Sequence, residues 1–170
     1  TYYGYDLLGR AVLKKDRDGY ETRYRYTPSG KREEILYGDG RRAQYHYDAA
    51  GNLTGVEDWN GTTTFINDAL GRVVQTIYPG GESVSCRYGR RGERTGLVYP
   101  DGTEAEYRYG KGQRLEELLT RTGEGAEESI RYRYDEKGRL AEKELPNGVH
   151  IECAYNQQGK LKHLQSRNKY

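Results

Sequence analysis

The chain has 170 residues, of which 34% are hydrophobic and 32% are charged, and tyrosine alone accounts for 18. Its 28 Lys and Arg residues nearly balance 26 Asp and Glu residues, so the net charge of +2 gives no case for nucleic-acid binding. It contains no signal-peptide pattern and no apolar run of about 18 residues, so we expect no membrane insertion.

A glycine followed by a basic or polar residue recurs about every 21 residues, and we call these positions anchors. Gln113 stands at the one anchor where glycine is missing. The glycine anchors are Gly9, Gly30, Gly51, Gly71, Gly92, Gly138 and Gly159. Self-similarity at a fixed period of this length predicts a repeat array, here eight repeats in a single domain spanning 1–170.

Two aromatic slots precede each anchor by six and four residues. Their tyrosines are Tyr3, Tyr5, Tyr24, Tyr26, Tyr45, Tyr47, Tyr88, Tyr107, Tyr109, Tyr132, Tyr134 and Tyr155. Spacing of two residues places both rings on one face of a strand, and the residue between them, such as Arg25, points to the other face. The pattern therefore predicts a half-buried strand before every anchor.

The residue three positions before the anchor is often aspartate. These aspartates are Asp6, Asp48, Asp68 and Asp135. The aspartate side chain opens a turn, and the anchor glycine closes it with a positive φ. A second strand follows, in which apolar residues such as Leu53 and Val56 break strict period two. We therefore expect a bulge in that strand.

A second type of turn follows each second strand. It is marked by Asp18-Gly19, Asp39-Gly40, Asn60-Gly61, Gly80-Gly81, Asp101-Gly102 and Asn147-Gly148. Such pairs between β-like runs are strong hairpin signals. Each repeat is thus predicted to be two antiparallel strands with two turns, and the chain to be an all-β fold of about 16 short strands in one sheet.

Two segments depart from the repeat. Gln113 and Gly138 are 25 residues apart rather than 21, and the preceding anchor region, 109–113, has lost its usual turn residues. The longer loop, 121–128, is either a drifted surface loop or a loop for a partner. Trp59, ahead of the Asn60-Gly61 turn, is either a cover for neighbouring turns or a platform for a ligand.

No catalytic or metal-binding motif was found, so we expect no enzyme activity, no cofactor and no metal. The histidines are His46, His150 and His163, and none has metal-ligand spacing. Cys86 and Cys153 both occupy the first aromatic slot, about six strands apart. At about 4.8 Å per strand they are too distant for a disulfide in an open sheet, so we expect two free thiols.

The repeat resembles the YD repeats of RHS (rearrangement hotspot) proteins. The clearest copies are Tyr3-Gly4-Tyr5-Asp6-Leu7-Leu8-Gly9-Arg10, Tyr45-His46-Tyr47-Asp48-Ala49-Ala50-Gly51-Asn52-Leu53 and Tyr132-Arg133-Tyr134-Asp135-Glu136-Lys137-Gly138-Arg139-Leu140. The resemblance covers essentially the whole chain. It implies a curved or spiralling sheet that forms a hollow shell, which in bacterial toxins encloses a C-terminal effector. The family's self-cleaving core segment has no match here.

The resemblance implies a structural role as part of a larger secreted or cell-surface bacterial protein. Because the chain lacks an initiator methionine and opens in mid-repeat, we expect it to be a piece of such a protein. Its partners would be the rest of the parent chain and the enclosed domain. The alternative is an extracellular adhesin whose tyrosines stack on a glycan. We also expect self-association through the free sheet edges.

Overall fold

The computed structural model describes residues 1–168, which form sixteen β-strands. The strands follow one another in the sheet in chain order, and strands paired in a hairpin run antiparallel. No α-helix occurs within residues 1–168, and one short 3₁₀ turn spans Lys111–Gln113. The sequence prediction of about 16 strands in one all-β sheet is therefore confirmed.

The chain divides into two compact units, and the first comprises Thr1–Ser83. Its strands are β1 (Tyr2–Tyr5), β2 (Ala11–Lys15), β3 (Glu21–Tyr26), β4 (Arg32–Tyr37), β5 (Arg42–Tyr47), β6 (Leu53–Asp58), β7 (Gly61–Asn67) and β8 (Val73–Ile77). Each of these strands is joined to the next by a hairpin turn.

The second compact unit begins at Val84, within β9. Its strands are β9 (Ser83–Tyr88), β10 (Arg94–Val98), β11 (Glu104–Tyr109), β12 (Leu115–Arg121), β13 (Glu127–Tyr134), β14 (Leu140–Glu144), β15 (Val149–Tyr155) and β16 (Leu161–Asn168). The two compact units do not test whether all eight repeats form one domain, so the single domain spanning 1–170 stays a prediction.

The two kinds of turn share one backbone geometry. At the first anchor the N–H of Asp6 donates to the carbonyl of Arg10 at 2.9 Å, and the N–H of Gly9 donates to the carbonyl of Asp6 at 3.0 Å. The same two bonds recur at the other anchors and at most second turns. The turn between β6 and β7 differs, since Asp58 pairs directly with Gly61.

Positive φ is the reason for glycine at the anchors. The anchor glycines have φ between 75° and 87°. Gln113 has φ 59° and is the one positive-φ residue other than glycine among residues 1–168. The backbone bonds of this turn, from Gly110 to Arg114 and from Gln113 to Gly110, are kept. The turn and its left-handed residue are therefore kept, although the usual signature residues are missing from this segment.

A β-bulge lies in the second strand of every repeat, as the broken period-two pattern predicted. In each anchor hairpin the register skips the third residue after the anchor. The skipped residues are Val12, Glu33, Thr54, Val74, Thr95, Glu116, Ala141 and Lys162. A bulge locally disrupts the ladder and bends the strand, so it recurs here at one fixed place in each repeat.

The two sides of the sheet differ in chemistry. Tyr24 pairs with Ile35, which pairs with Ala43, and these residues define the tyrosine face. Arg25 pairs with Glu34, and they define the charged face. The buried apolar side chains are few, and none is below 2% exposed. They are Ile35, Ala43, Leu97, Ala105 and Leu119, at 5% to 8% exposed. Since all strands belong to one sheet, side chains are screened mainly by neighbours on the same face.

The long repeat lengthens a hairpin without changing its turn. Strands β12 and β13 contain 7 and 8 residues, whereas the equivalent strands β10 and β11 contain 5 and 6. The turn keeps the usual bonds, with the N–H of Thr122 donating to Ala126 and that of Gly125 to Thr122, both at 2.9 Å. Lengthening both strands of a hairpin by an even number of residues preserves which side chains lie on each face. These features favour a drifted repeat over a loop grown for a partner.

Candidate functional site: the junction between repeats

The aspartate before each anchor locks its own turn. In the first repeat Oδ1 of Asp6 accepts the backbone N–H groups of Leu8 and Arg10, both at 2.9 Å. Oδ2 accepts Nε of Arg10 at 2.7 Å. Asp68 with Arg72, and Asp135 with Arg139, form the same pair. The residue after the anchor is thus held by the turn that precedes it.

Hydrogen bonding holds the pKa of these aspartates below its ordinary value. For Asp68 and Asp135 the largest cause is the side-chain bond from the arginine after the anchor. For Asp48 it is the side-chain amide of Asn52. For Asp6 the largest cause is the backbone N–H of Arg10. Each of these donors favours the ionised carboxylate, so the turn is built for a charged aspartate.

Tyrosines four residues before an anchor connect their repeat to the repeat before it. The hydroxyl of Tyr26 donates to the carbonyl of Ala11 at 2.8 Å, and that of Tyr155 donates to Leu140 at 2.9 Å. Equivalent bonds are made by Tyr47 to Arg32, Tyr109 to Arg94 and Tyr134 to Leu115. Every acceptor lies two residues after an anchor, next to the bulge. The hydroxyl therefore satisfies a carbonyl at the point where the strand ladder is disrupted.

The basic residue after the anchor covers the same tyrosine ring. The guanidinium of Arg10 lies 4.8 Å from the ring centroid of Tyr26, and that of Arg139 lies 4.5 Å from Tyr155. Lys31 lies 5.2 Å from Tyr47. A cation at this distance over an aromatic face is stabilising. One side chain thus bonds to its own turn and stacks on the next repeat.

The same cation reaches the next anchor. A Cβ placed on Gly138 would collide with the guanidinium of Arg114, and one placed on Gly51 would collide with the ammonium of Lys31. The ammonium of Lys31 also donates to the carbonyl of Gly51. Glycine at these anchors therefore meets two demands, a positive φ and a close approach by the preceding repeat.

We use the word junction for this set of contacts: the tyrosine hydroxyl on the carbonyl, and the cation over the ring. Repeats that depart from the signature use other residues to make a junction bond or a turn bond. Asn67 stands in a tyrosine slot, and its amide donates to the carbonyl of Leu53 at 2.9 Å. Where Gly89 replaces aspartate, Glu93 accepts the N–H of Arg91 at 3.0 Å. The sequence did not reveal these compensations.

Ion pairs cross the charged face of the second compact unit. The chain of contacts runs from Arg108 to Glu117 at 2.7 Å, to Arg131 at 3.1 Å and to Glu144 at 4.0 Å. His150 lies 3.7 Å from Glu144 and continues the ladder to β15. Hydrogen bonds, first from Arg131 and also from Arg108, lower the pKa of Glu117. Arg and Glu residues thus pair across neighbouring strands on this face.

Trp59 packs against the neighbouring turn. Its ring meets Tyr37 edge-on at 5.6 Å, and the guanidinium of Arg41 lies 4.7 Å from its centroid. The side chain remains 50% exposed. Because Tyr37 and Arg41 begin and end the adjacent second turn, these contacts favour the cover interpretation over a ligand platform.

The remaining candidate residues lie apart from one another. Cys86 and Cys153 are free thiols on β9 and β15, so the prediction of unpaired cysteines is confirmed. His46 is exposed on the charged face, as its position between two tyrosines predicted. Within residues 1–168, no group of three or more His, Cys, Asp or Glu is arranged to hold a metal ion. No helix in the described part of the chain is long and apolar enough to cross a membrane.

The tyrosine hydroxyl can be tested at an interior junction. We expect Tyr134→Phe to lower the free energy of unfolding by about 0.5–1.5 kcal/mol, because it leaves the Leu115 carbonyl without its donor. Thermal and urea melts would measure the change. Tyr99→Phe is the control, because within residues 1–168 its hydroxyl makes no hydrogen bond and its side chain is 41% exposed. Equal melts for the parent and Tyr134→Phe would contradict a structural role for the hydroxyl.

The chain is similar to two bacterial protein sequences. It is 27% identical over 164 residues to "Double-stranded DNA deaminase toxin A" of Burkholderia cenocepacia, covering 95% of this chain and 10% of the relative. It is 28% identical over 150 residues to "Probable deoxyribonuclease RhsB" of Dickeya dadantii, covering 83% of this chain and 10% of the relative. The chain thus spans about a tenth of the length of these relatives.

Several solved structures have a similar fold. The crystal structure of TcdB2-TccC3-TEV matches with a TM-score of 0.81 and 13% identity, over 98% of this chain and 10% of that one. A Photorhabdus luminescens Tc holotoxin pore matches with a TM-score of 0.65 and 14% identity, over 98% of this chain and 11% of that one. At these identities the likeness concerns the fold alone.

The sequence model of one family, described as the Teneurin YD-shell, matches residues 1–124. The matched range contains six of the eight anchors, from Gly9 to Gln113, and the junctions between them. Because the match covers well over half of the chain, this protein belongs to the Teneurin YD-shell family.

Proposed function

We propose that this chain is a wall segment of an RHS-type shell that encloses a C-terminal toxin or effector. The segment contributes structure and no catalysis, and it works within a larger secreted or cell-surface bacterial protein. The names of the two sequence relatives, a DNA deaminase toxin and a probable deoxyribonuclease, support this reading. This chain corresponds to about a tenth of each relative. In the proposal, the activities in those names therefore belong to an enclosed domain elsewhere in a parent protein and not to this segment.

The uniformity of the junction carries the proposal. A wall needs each repeat to hold the next in the same way, and the hydroxyl–carbonyl bond recurs between 2.8 and 2.9 Å. A binding site would instead concentrate unusual residues in one place. The two departures from the repeat, at Trp59 and at Gly123, pack against neighbouring turns: Trp59 against Tyr37, and Gly123 near the carbonyl of Asp101.

The enclosure can be tested in the full-length protein that carries this chain. We expect Ile35→Asp, which places a carboxylate at a 7% exposed position, to open the wall and make the C-terminal domain accessible to added protease. Leu36→Asp is the matched control, since the adjacent Leu36 is 40% exposed and should tolerate the change. Equal protease resistance of the C-terminal domain in the parent and Ile35→Asp would count against enclosure.

A carbohydrate-binding module was the alternative from the sequence, and its best candidate was Trp59. The contacts of this ring with Tyr37 and Arg41 support a structural role instead. Several signature tyrosines, such as Tyr26 and Tyr47, are likewise occupied by a cation over the ring. The wall is therefore the function that the arrangement of aromatic residues favours.

A further inference from the structure

Two of the second turns contain an asparagine followed by glycine, and both asparagines are exposed. They are Asn60-Gly61, between β6 and β7, and Asn147-Gly148, between β14 and β15. Every other asparagine of the chain precedes a larger residue. Asparagine is a chemically labile residue, and a following glycine, which has no side chain, leaves the next backbone nitrogen open to attack the asparagine side chain. These two turns are therefore the places where a side-chain amide is most readily lost.

The two asparagine side chains differ in what restrains them. Oδ1 of Asn147 accepts the backbone N–H of Val149 at 3.2 Å. In the other turn Oδ1 of Asp58 accepts the backbone N–H of Asn60 at 2.8 Å. Within residues 1–168 the side chain of Asn60 itself makes no hydrogen bond. Rotation of the side chain toward the next backbone nitrogen must therefore break a hydrogen bond at Asn147, whereas it breaks none at Asn60.

We propose that Asn60 is a site of spontaneous modification, at which its side-chain amide is converted to a carboxylate. The backbone nitrogen of Gly61 attacks Cγ of Asn60 and forms the C–N bond of a five-membered succinimide. The bond from Cγ to Nδ2 breaks, and this nitrogen leaves as ammonia with the proton that Gly61 gives up. One water molecule then opens the ring. Attack at Cγ gives aspartate, and attack at the backbone carbonyl of the same residue gives isoaspartate.

The fold accommodates the aspartate product, because another second turn already contains it. The turn between β2 and β3 has the sequence Asp16-Arg17-Asp18-Gly19. There Oδ1 of Asp16 accepts the backbone N–H of Asp18 at 3.0 Å, the bond that also opens the turn before Asn60. Conversion of Asn60 to aspartate gives the same Asp-x-Asp-Gly pattern. We therefore expect the hairpin between β6 and β7 to survive this outcome of the reaction.

The isoaspartate product conflicts with the fold of this hairpin. It routes the chain through the side-chain carbon and adds one backbone atom between Cα of Asn60 and the nitrogen of Gly61. A Cβ placed on Gly61 would lie 2.8 Å from Cβ of Pro79, so the neighbouring turn leaves little room for displacement. Asp58 pairs with Gly61 across the hairpin, and we expect the longer backbone to break this pairing. The inference goes beyond the wall role, and its failure would leave that role untouched.

Peptide mapping by mass spectrometry tests the site after incubation of the full chain at mildly alkaline pH, both folded and in urea. In the folded protein we expect amide loss at Asn60 to be about two- to tenfold faster than at Asn147, the factor that one hydrogen bond represents. In urea the two rates should be equal, because both sites share the Asn-Gly pair and neither turn is formed. No loss at Asn60 in the folded protein, loss at Asn147 that is as fast, or the same ratio of rates in urea would overturn the proposal.

Two variants and the aged protein test the consequences of the reaction. Asn60→Gln, whose longer side chain would have to close a less favoured six-membered ring, should keep its amide under conditions in which the parent reacts. Asn60→Asp should have the same urea midpoint as the parent. Aged protein that contains isoaspartate, detected with an isoaspartyl methyltransferase and separated by chromatography, should unfold at a lower urea concentration than Asn60→Asp. Equal midpoints for these last two would overturn the conflict between isoaspartate and the hairpin, and a lowered midpoint for Asn60→Asp would overturn the fit of the aspartate product.

Discussion

Gly51→Val is expected to destabilise the protein by about 1–3 kcal/mol, because it forces a β-branched residue into a left-handed conformation. Gly51 has φ 85°, and a Cβ there would displace the ammonium of Lys31 from its place beside the anchor. Lys31 would then lose its bond to the Gly51 carbonyl and its position over Tyr47. A urea melt reports the change in unfolding free energy.

Two further variants separate the causes of this effect. Gly80→Val places the same side chain in a turn where φ is not left-handed and where no atom, chain neighbours aside, lies within 4 Å of an added Cβ. We therefore expect little change in the free energy of unfolding. Gly51→Asn keeps the obstruction by Lys31 but supplies a residue that tolerates positive φ. It should be more stable than Gly51→Val. If all three variants have the same free energy of unfolding as the parent, the left-handed conformation of Gly51 does not contribute to stability.

The regular features of this fold could be predicted from the sequence because they are local. Period-two tyrosines gave the strands, and Asp-Gly or Asn-Gly pairs gave the second turns. The bulge was predicted from the mismatch between Leu53 and Val56, and the register skips Thr54 between them. In each case the evidence lies within one or two turns of the chain.

The junction could not be predicted, because it joins residues 15 to 19 positions apart and depends on strand register. The basic residue after the anchor was visible in the repeat, but its stacking on the next tyrosine was not. The turn at Gln113 illustrates a related point. Sequence signatures report the residue that usually adopts a conformation, whereas the backbone bonds of Gly110 keep that conformation without it.

The glutamates of the charged face and the turn aspartates both contribute to the pH dependence of stability. Both sets consist of carboxylates whose pKa is lowered by hydrogen-bond donors on neighbouring strands or turns. Glu142, for example, is bonded first by His150 and also by Arg133. A single exposed pair contributes little to stability. Many such carboxylates titrating over one range make the whole sheet sensitive to acid.

We therefore expect the melting temperature to be highest near neutral pH and to fall steeply as the pH drops below about 4. A carboxylate whose pKa is lowered in the folded state adds stability above its ordinary pKa. That stability is lost as the pH falls through the lower, folded value. The ordinary values are 3.8 for Asp135 and 4.5 for Glu117, so the loss begins there. Thermal melts from pH 7 to pH 2 would measure it.

Asp135→Asn isolates one carboxylate in this response. The variant keeps the oxygen that accepts the backbone N–H of Arg139, as Asn156 does naturally for Lys160 at 2.9 Å. It loses the charge and the second oxygen, which accepts Nε of Arg139. We expect it to melt below the parent at pH 7. The gap in melting temperature should begin to narrow near the ordinary pKa of 3.8 and should close below the lowered pKa of the folded state, where the parent's Asp135 is also neutral. A gap that stays constant from pH 7 to pH 2 would mean that the charge of Asp135 does not stabilise the turn.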